Sequence, residues 1–384
     1  MKKNTIKIIS VIISLIVIVS SLTVMATADS GYGYLVASEY VSPNTGKDVS
    51  DDIQKLIDEN PNRTIFFSDG EYLLSKPIYT PADPRRSVSL KLSEFAVFKA
   101  TGDWSKGEAV VQLGGIHPAN DTHTNGSNYS LEGGIIDGSN IANGVSINGG
   151  RETAVRNVSI KHTVIGLHIM RGANGGSSDS DITGLNIIGT GTTESVGILV
   201  EGWDNTITNV RIGFVFIGMQ IRSAGNIFRN IHPLYYSDYT DYQNSCGFLV
   251  ESGNNWFDYC YSDQFGVAFR TTDNGSSIFH NCFCYWYSPN GGTQTAFKAD
   301  QEFNSVVTNF KAGFRGDTEN NVMLSVRNLN GDGRIENLTI DSSQTIEDFS
   351  YKAYEKESNI FDKIFGYCYI LVNIIRDYFA NVTK

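Results

Sequence analysis

The chain has little charge, and what it has is mostly of one sign. Charged residues make up 18% of 384, and 30 Lys and Arg stand against 41 Asp and Glu, a net of −11. Nucleic-acid partners select for a basic face, so the composition speaks against that class. It also disfavours a strongly anionic ligand unless basic side chains are concentrated locally. Cysteine is sparse. The five present form an odd set with no C-x-x-C pair, and Cys282 and Cys284 are two apart, a spacing that suits neither zinc nor a redox turn. No metal centre and no disulfide framework is expected from them.

Residues 1–28 read as a targeting segment. Lys2, Lys3 and Lys7 are followed by an uncharged, mostly apolar run from Ile8 to Met25, and Ala26-Thr27-Ala28 closes it with small residues. This is the pattern of a secretory signal cleaved before Asp29, and no basic stop-transfer patch follows it. A retained membrane anchor is the competing reading, since the run is nearly long enough to span a bilayer. Cleavage removes three lysines and leaves 27 basic against 41 acidic residues, a net of −14. The mature protein is therefore expected outside the cell, secreted or held at the cell surface.

What the chain has in quantity is a repeat. The pattern apolar-any-Asn-apolar-any-apolar occurs at Val155-Arg-Asn157-Val158-Ser-Ile160, at Ile182-Thr-Gly184-Leu185-Asn-Ile187 and at Ile207-Thr-Asn209-Val210-Arg-Ile212. Weaker copies begin at Phe228, Phe257, Phe279 and Val307, with steps of about 21 to 29 residues. A second strand pattern follows each copy, with a small residue leading it: Gly166, Gly197, Gly218, Gly247 and Gly266. Two short period-2 strands per repeat, joined by turns, specify a parallel sheet wound around a core. The predicted fold is all-β, a single-stranded right-handed parallel β-helix over residues 29–345.

Coils stacked about 4.8 Å apart place matching residues in ladders. Val158, Leu185, Val210, Ile231, Cys260, Cys282 and Phe310 form the predicted core ladder, which makes the cysteines packing residues. The Asn position suits a left-handed turn. A solenoid also needs end caps. Asp51 to Glu59 reads as a short helix burying Ile53, Leu56 and Ile57. Residues 346–384 are expected to be an amphipathic helix, since Ile360, Phe361, Ile364, Phe365, Cys368, Leu371, Ile375 and Phe379 recur at helical spacing. Its apolar breadth leaves membrane association or homo-oligomer formation open.

The segment from Asp48 to Ile78, with its acidic helix start, Ile53-Gln54 and Gly70-Glu-Tyr72, resembles the opening of pectate-lyase superfamily proteins in the rhamnogalacturonase-like or polygalacturonase-like branch. Gly133-Gly134-Ile-Ile-Asp137-Gly138 is similar to a coil common there. The resemblance implies a β-helix that acts on or binds polysaccharide, as a lyase, a glycoside hydrolase, an epimerase or a non-catalytic binding or structural protein. The N-T-D, G-H-G and R-I-K signatures of polygalacturonase-type hydrolases are absent, and the one D-D pair, Asp51-Asp52, lies in the acidic helix start. The Asp set of calcium-dependent lyases cannot be located, so calcium remains an open requirement.

The register identifies candidate chemistry. Outward positions of successive coils read Ser159, Asn186, Arg211, His232, Tyr261 and Phe283. The next outward row reads Lys161, Ile188, Gly213, Leu234, Asp263 and Tyr285. Arg211, His232, Tyr261 and Asp263 thus share one face and are the candidate catalytic set. Two insertions flank them and carry exposed-ring candidates for a saccharide cleft: Tyr235, Tyr236, Tyr239 and Tyr242 in one, and Tyr285 and Trp286 beside the other. In a lyase, His232 or Tyr261 would take the proton beside a uronate carboxylate neutralised by Arg211. In a hydrolase, Asp263 would pair with Asp238 or Asp241. Glu201, Arg222, Glu251 and Arg270 read as a structural ion-pair ladder on the other sheet, and His162 and His168 as surface residues.

Overall fold

The computed structural model describes residues 33–115, 127–172, 177–235, 241–272, 276–287, 293–314, 322–327, 333–342 and 352–354. Among them, 21 strands join one parallel sheet and 11 join a second. The chain winds between the two sheets as a right-handed parallel β-helix. One coil runs through Thr206–Gly213 and Ile217–Ile221 and the next through Ile227–Leu234 and Cys246–Val250. Each strand hydrogen-bonds in parallel to the strand one coil on, as Ile207 to Phe228 and Met219 to Phe248.

In the seven coils that carry the repeat, the larger sheet bends at a residue with positive φ. Asn157, Asn209, Asn230, Asn281 and Asn309 occupy this bend at φ between 52° and 56°, with Gly184 and Tyr259 in the remaining two coils. Asn and Gly tolerate this conformation better than other residues do, which explains the repeat consensus. The bend aims the strands on either side at different directions, so each coil presents two outward faces from this sheet and a third from the smaller one.

The predicted core ladder is buried throughout, from Val158 at 1% exposure to Phe310 at 0%. Cys260 and Cys282 are buried free thiols in it, Cys284 is a buried free thiol in the next inward row, and Cys246 is another beneath the smaller sheet. Burial pushes the Cys246 thiol up to about 12 and Cys282 and Cys284 well above their ordinary value, which leaves them inert. Aromatic rings stack coil on coil: Phe257 on Phe279 at 4.6 Å, Phe248 on Phe269 at 4.7 Å and Trp286 on Phe314 at 4.7 Å. Such pairs add roughly 0.5–1.5 kcal/mol each beyond area burial.

A second ladder lies inside the helix. Asn205, Asn226 and Asn255 are fully buried or nearly so, and each accepts the backbone N–H of the equivalent residue one coil earlier at 3.0–3.1 Å. Ser277 and Ser305 continue the series. These side chains satisfy backbone groups at the turn leading into each coil, where no strand partner exists.

Helix α1 (Ser50–Glu59) caps the N-terminal end and buries Ile53, Leu56 and Ile57. Asp48 anchors it to the first coils by accepting from the Ser50 and Ser75 amides at 3.0 and 3.1 Å and from the Ser75 hydroxyl at 2.6 Å. At the other end, Lys352–Tyr354 is a strand paired with Val322–Arg327, so the solenoid runs past residue 345. The helix expected over 346–384 gives way to a strand at these three residues, and the rest of that segment lies outside the described residues. So does the signal segment 1–28. Among the described residues, no helix is long and apolar enough to cross a membrane.

Candidate functional site

The strand pairing reproduces both outward rows read from the sequence. Asn186 pairs with Arg211 and Arg211 with His232, and one coil further Leu234 pairs with Asp263. Tyr261 and Asp263 then pair with Phe283 and Tyr285. Arg211, His232, Tyr261 and Asp263 therefore lie on one face across three coils, held by a backbone that cannot shift one member without breaking a ladder.

Three of the four are in contact. The His232 and Tyr261 rings stack at 4.1 Å and 15°. The Tyr261 hydroxyl donates to Asp263 Oδ2 at 3.1 Å, and His232 Nε2 approaches the same oxygen at 3.7 Å. Two polar atoms here are buried without a hydrogen-bond partner among the described residues, His232 Nε2 and Asp263 Oδ1. A structural network normally satisfies such atoms, because each orphan costs about 1–3 kcal/mol. Burial, and then the Asp263 charge and the hydrogen bond to it, hold the Tyr261 phenol protonated well above the ordinary tyrosine range. Arg211 is exposed and donates to the Val210 carbonyl at 3.3 Å.

The aromatic set divides differently from the expectation. Tyr235, Tyr242 and Trp286 are buried at 2%, 4% and 1% exposure and line no open cleft. Tyr235 packs edge-on against Tyr242 and Phe265 at 5.4 and 5.5 Å, and Trp286 Nε1 donates to the Phe265 carbonyl at 2.7 Å. The reason is strand period. Tyr235 continues the inward series of Ile231 and Pro233, and Trp286 that of Cys282 and Cys284. These rings fill the corner where the larger sheet hands over to the smaller. Tyr285 is half-buried on the outward face beside Asp263, and Tyr287 is exposed at 68%. Tyr236, Tyr239 and Asp238 lie outside the described residues. Asp241, the other proposed carboxylate partner, is exposed and accepts from Asn244 at 2.6 Å.

The smaller sheet carries the ion-pair ladder. His168 Nε2 meets Glu201 at 2.8 Å, and Arg222 bridges Glu201 at 3.2 Å and Glu251 at 2.8 Å. Burial alone would raise the Glu201 carboxyl, but the bonds from His168 and Arg222 outweigh it and hold it below the ordinary value. His168 is thus part of the ladder. Arg270 is not: it pairs with Asp300 at 2.6 Å. The sequence aligns Gly266 with Gly247, whereas Gly247 stands beside Ala268 because Phe248 pairs with Phe269. That shift moves Arg270 off the row. The members of this ladder are mutually satisfied, unlike Asp263 and His232.

Among the described residues, no cluster of three His, Cys, Asp or Glu side chains could hold a metal ion. Asp263 is a single carboxylate with one oxygen already engaged, so the described residues of this face do not fit a calcium site. A pocket of about 460 Å³, lined by Arg63, Arg85 and Asn128 among others, lies at the N-terminal coils, away from this cluster. Its polar, shallow wall holds no acid–base pair, and the cluster on the open face carries the stronger chemical argument.

No family model and no curated protein matches the chain. Solved structures do. The chain is similar to an alginate lyase from Paenibacillus sp. str. FPU-7, at 15% identity and a TM-score of 0.51 over 76% of this chain and 97% of that one. It is also similar to the catalytic domain of a GH87 α-1,3-glucanase in complex with tetrasaccharides, at 12% identity and a TM-score of 0.50 over 86% of this chain and 69% of that one. At these identities the likeness establishes the shared fold, and both of these proteins act on polysaccharide.

Proposed function

We propose that the protein is a secreted polysaccharide-degrading enzyme of the pectate-lyase superfamily, with Arg211, His232, Tyr261 and Asp263 as its reacting groups. The observation that carries the reading is the His232–Tyr261–Asp263 contact set, with two buried polar atoms left unsatisfied on a rigid outward face. The likeness to the alginate lyase and the glucanase supports the substrate class. The apolar run and small-residue site at residues 8–28 support export.

The geometry favours elimination over hydrolysis. His232 turns Nε2 toward Asp263, so its other ring nitrogen, Nδ1, takes the proton from the carbon beside a uronate carboxylate. The electron pair left behind forms the carbon–carbon double bond as the glycosidic carbon–oxygen bond breaks. Tyr261 keeps its proton in the ground state and delivers it to the leaving oxygen, and Asp263 stabilises the imidazolium. Arg211 neutralises the uronate carboxylate and with it the charge that develops during proton removal. Tyr261 is thereby an acid and not the base that the sequence left open.

The test is turnover of residues 29–384 on uronate-containing and neutral polysaccharides, following ultraviolet absorbance of the unsaturated product and reducing ends together. Absorbance gain that falls by about 10²–10⁴-fold in both His232→Ala and Tyr261→Phe is the expected result. Reducing ends without absorbance would overturn elimination. Saccharide binding without any product would favour the non-catalytic binding or structural reading. That reading draws support from the burial of Tyr235, Tyr242 and Trp286, which leaves the face open instead of walled.

A further inference from the structure

Cations on or beside the strands are mostly paired among the described residues. Lys91, Lys99, Arg156, Arg222, Arg229 and Arg270 each meet a carboxylate within 4 Å. Lys161 and Arg211 make no ion pair with a described residue, and both point outward from the same face of the larger sheet. Lys161 pairs in register with Ile188, and Ile188 with Gly213, two residues beyond Arg211 on its strand. Two coil spacings and two strand residues put the two Cα atoms about 12 Å apart. A short oligosaccharide laid along the stack spans that distance.

The described neighbours of Lys161 form no ion pair with it. Asp137, its neighbour one coil earlier, is engaged elsewhere, since its Oδ1 receives the Ser139 amide at 2.9 Å and lies 3.0 Å from His162 Nδ1. Lys99, on the far side of Asp137, is bound to Glu71 at 2.8 Å. Asn186 and Ile188 are neutral, and Gly213 adds no side chain to the row. Lys161 is half-buried among them, and this desolvation alone lowers its pKa. A half-buried ammonium with no ion-pair partner among the described residues is a costly arrangement in a protein otherwise rich in carboxylates, and an anionic ligand relieves it.

We propose that Lys161 is an anion subsite that binds a carboxylate of an acidic polysaccharide lying along the coil axis, with Arg211 holding a second carboxylate two coils away. The inference rests on the proposed site for its direction along the stack and extends it by adding a second carboxylate-binding position two coils from Arg211.

The test is calorimetric binding of oligogalacturonates and oligoalginates, with neutral malto-oligosaccharides of equal length as the comparison. Wild type, Lys161→Met, Lys161→Arg and His232→Ala are measured, with Lys47→Met as an exposed control away from the face. Expected is binding of an acidic oligosaccharide that weakens about tenfold in Lys161→Met, recovers in Lys161→Arg and weakens further with salt. Lys47→Met should match wild type. Equal affinity of Lys161→Met and wild type, or no binding of either acidic probe by wild type, overturns the subsite. Lys161-dependent binding in a protein that turns over nothing upholds the subsite while sinking the catalytic reading. Turnover lost in His232→Ala with Lys161-independent binding does the reverse.

Discussion

Replacing Asn226 by Ala and replacing Asn230 by Ala remove the same side chain four residues apart, yet the structure assigns them different costs. Asn226 is fully buried. Its Oδ1 accepts the Asn205 backbone N–H and the Asn205 Nδ2, both at 3.0 Å, and its Nδ2 donates to the Ala224 carbonyl at 3.1 Å and to Asn255 Oδ1 at 3.1 Å. Alanine there strands at least the two Asn205 donors away from water. At about 1–3 kcal/mol for each unsatisfied buried group, the loss is about 2–6 kcal/mol. Asn230 is exposed and makes one ladder bond, to Asn209 at 2.8 Å, with φ at 53°. Alanine there costs the left-handed strain of about 1–2 kcal/mol, and glycine removes most of it. Urea unfolding followed by near-ultraviolet circular dichroism should therefore rank the variants Asn226→Ala, Asn230→Ala, Asn230→Gly from most to least destabilised. Hydrogen exchange at the Asn205 amide should accelerate only in Asn226→Ala, since solenoid contacts are confined to neighbouring coils. An Asn226→Ala midpoint equal to or above that of Asn230→Ala would refute the assignment of backbone satisfaction to the inner ladder.

Other consequences follow from the packing and the charges. Phe257 sits between Phe228 at 4.8 Å and Phe279 at 4.6 Å, so Phe257→Ala should cost about 3–5 kcal/mol in the same unfolding assay. Burial would raise the Asp48 carboxyl, but its bonds to Ser50 and Ser75 prevail and lower it from 3.8 to about 2. Its folded-state pKa is depressed, so its contribution is fully present above the unfolded value and is lost as pH falls through the folded one. The stability gap between wild type and Asp48→Asn should accordingly be constant above about pH 5 and shrink toward pH 2, as thermal melts across that range would record. Cys246, Cys260, Cys282 and Cys284 are buried. A thiol reagent should leave all four unmodified in the native protein and label them in denaturant, as peptide mass mapping would report.

The register was legible because the side-chain period of a strand is two and the coil spacing is set by backbone hydrogen bonds. Knowing one core residue per coil therefore fixes every outward neighbour, which is how Arg211, His232, Tyr261 and Asp263 could be grouped before any coordinates. The same period would have predicted Tyr235 and Trp286 as inward, had it been carried one residue pair past Pro233 and Cys284. Their insertions drew them to the surface reading instead. Arg270 was misplaced for a related reason, since Ala268 takes the small-residue position that Gly247 and Gly218 hold in other coils, and Gly266 nearby offered a false match. Buried Asn205, Asn226 and Asn255 are chemically indistinguishable from the exposed asparagines of the repeat, so composition gave no means of separating them.

Sequence alone determined the winding of the chain: period-2 strands, left-handed asparagines and a recurring step demand stacked coils, and α1 demands a cap. It determined which residues could be neighbours. Tertiary structure decided what those neighbours do to one another. The stacking of His232 on Tyr261, the direction of the Tyr261 hydroxyl toward Asp263 and the lack of an ion pair between Lys161 and any described residue are visible only in the folded chain. The ring stack crosses coils between residues 29 apart and the Tyr261 hydrogen bond lies within one strand, and in both, rotamer and burial, not periodicity, set the energy.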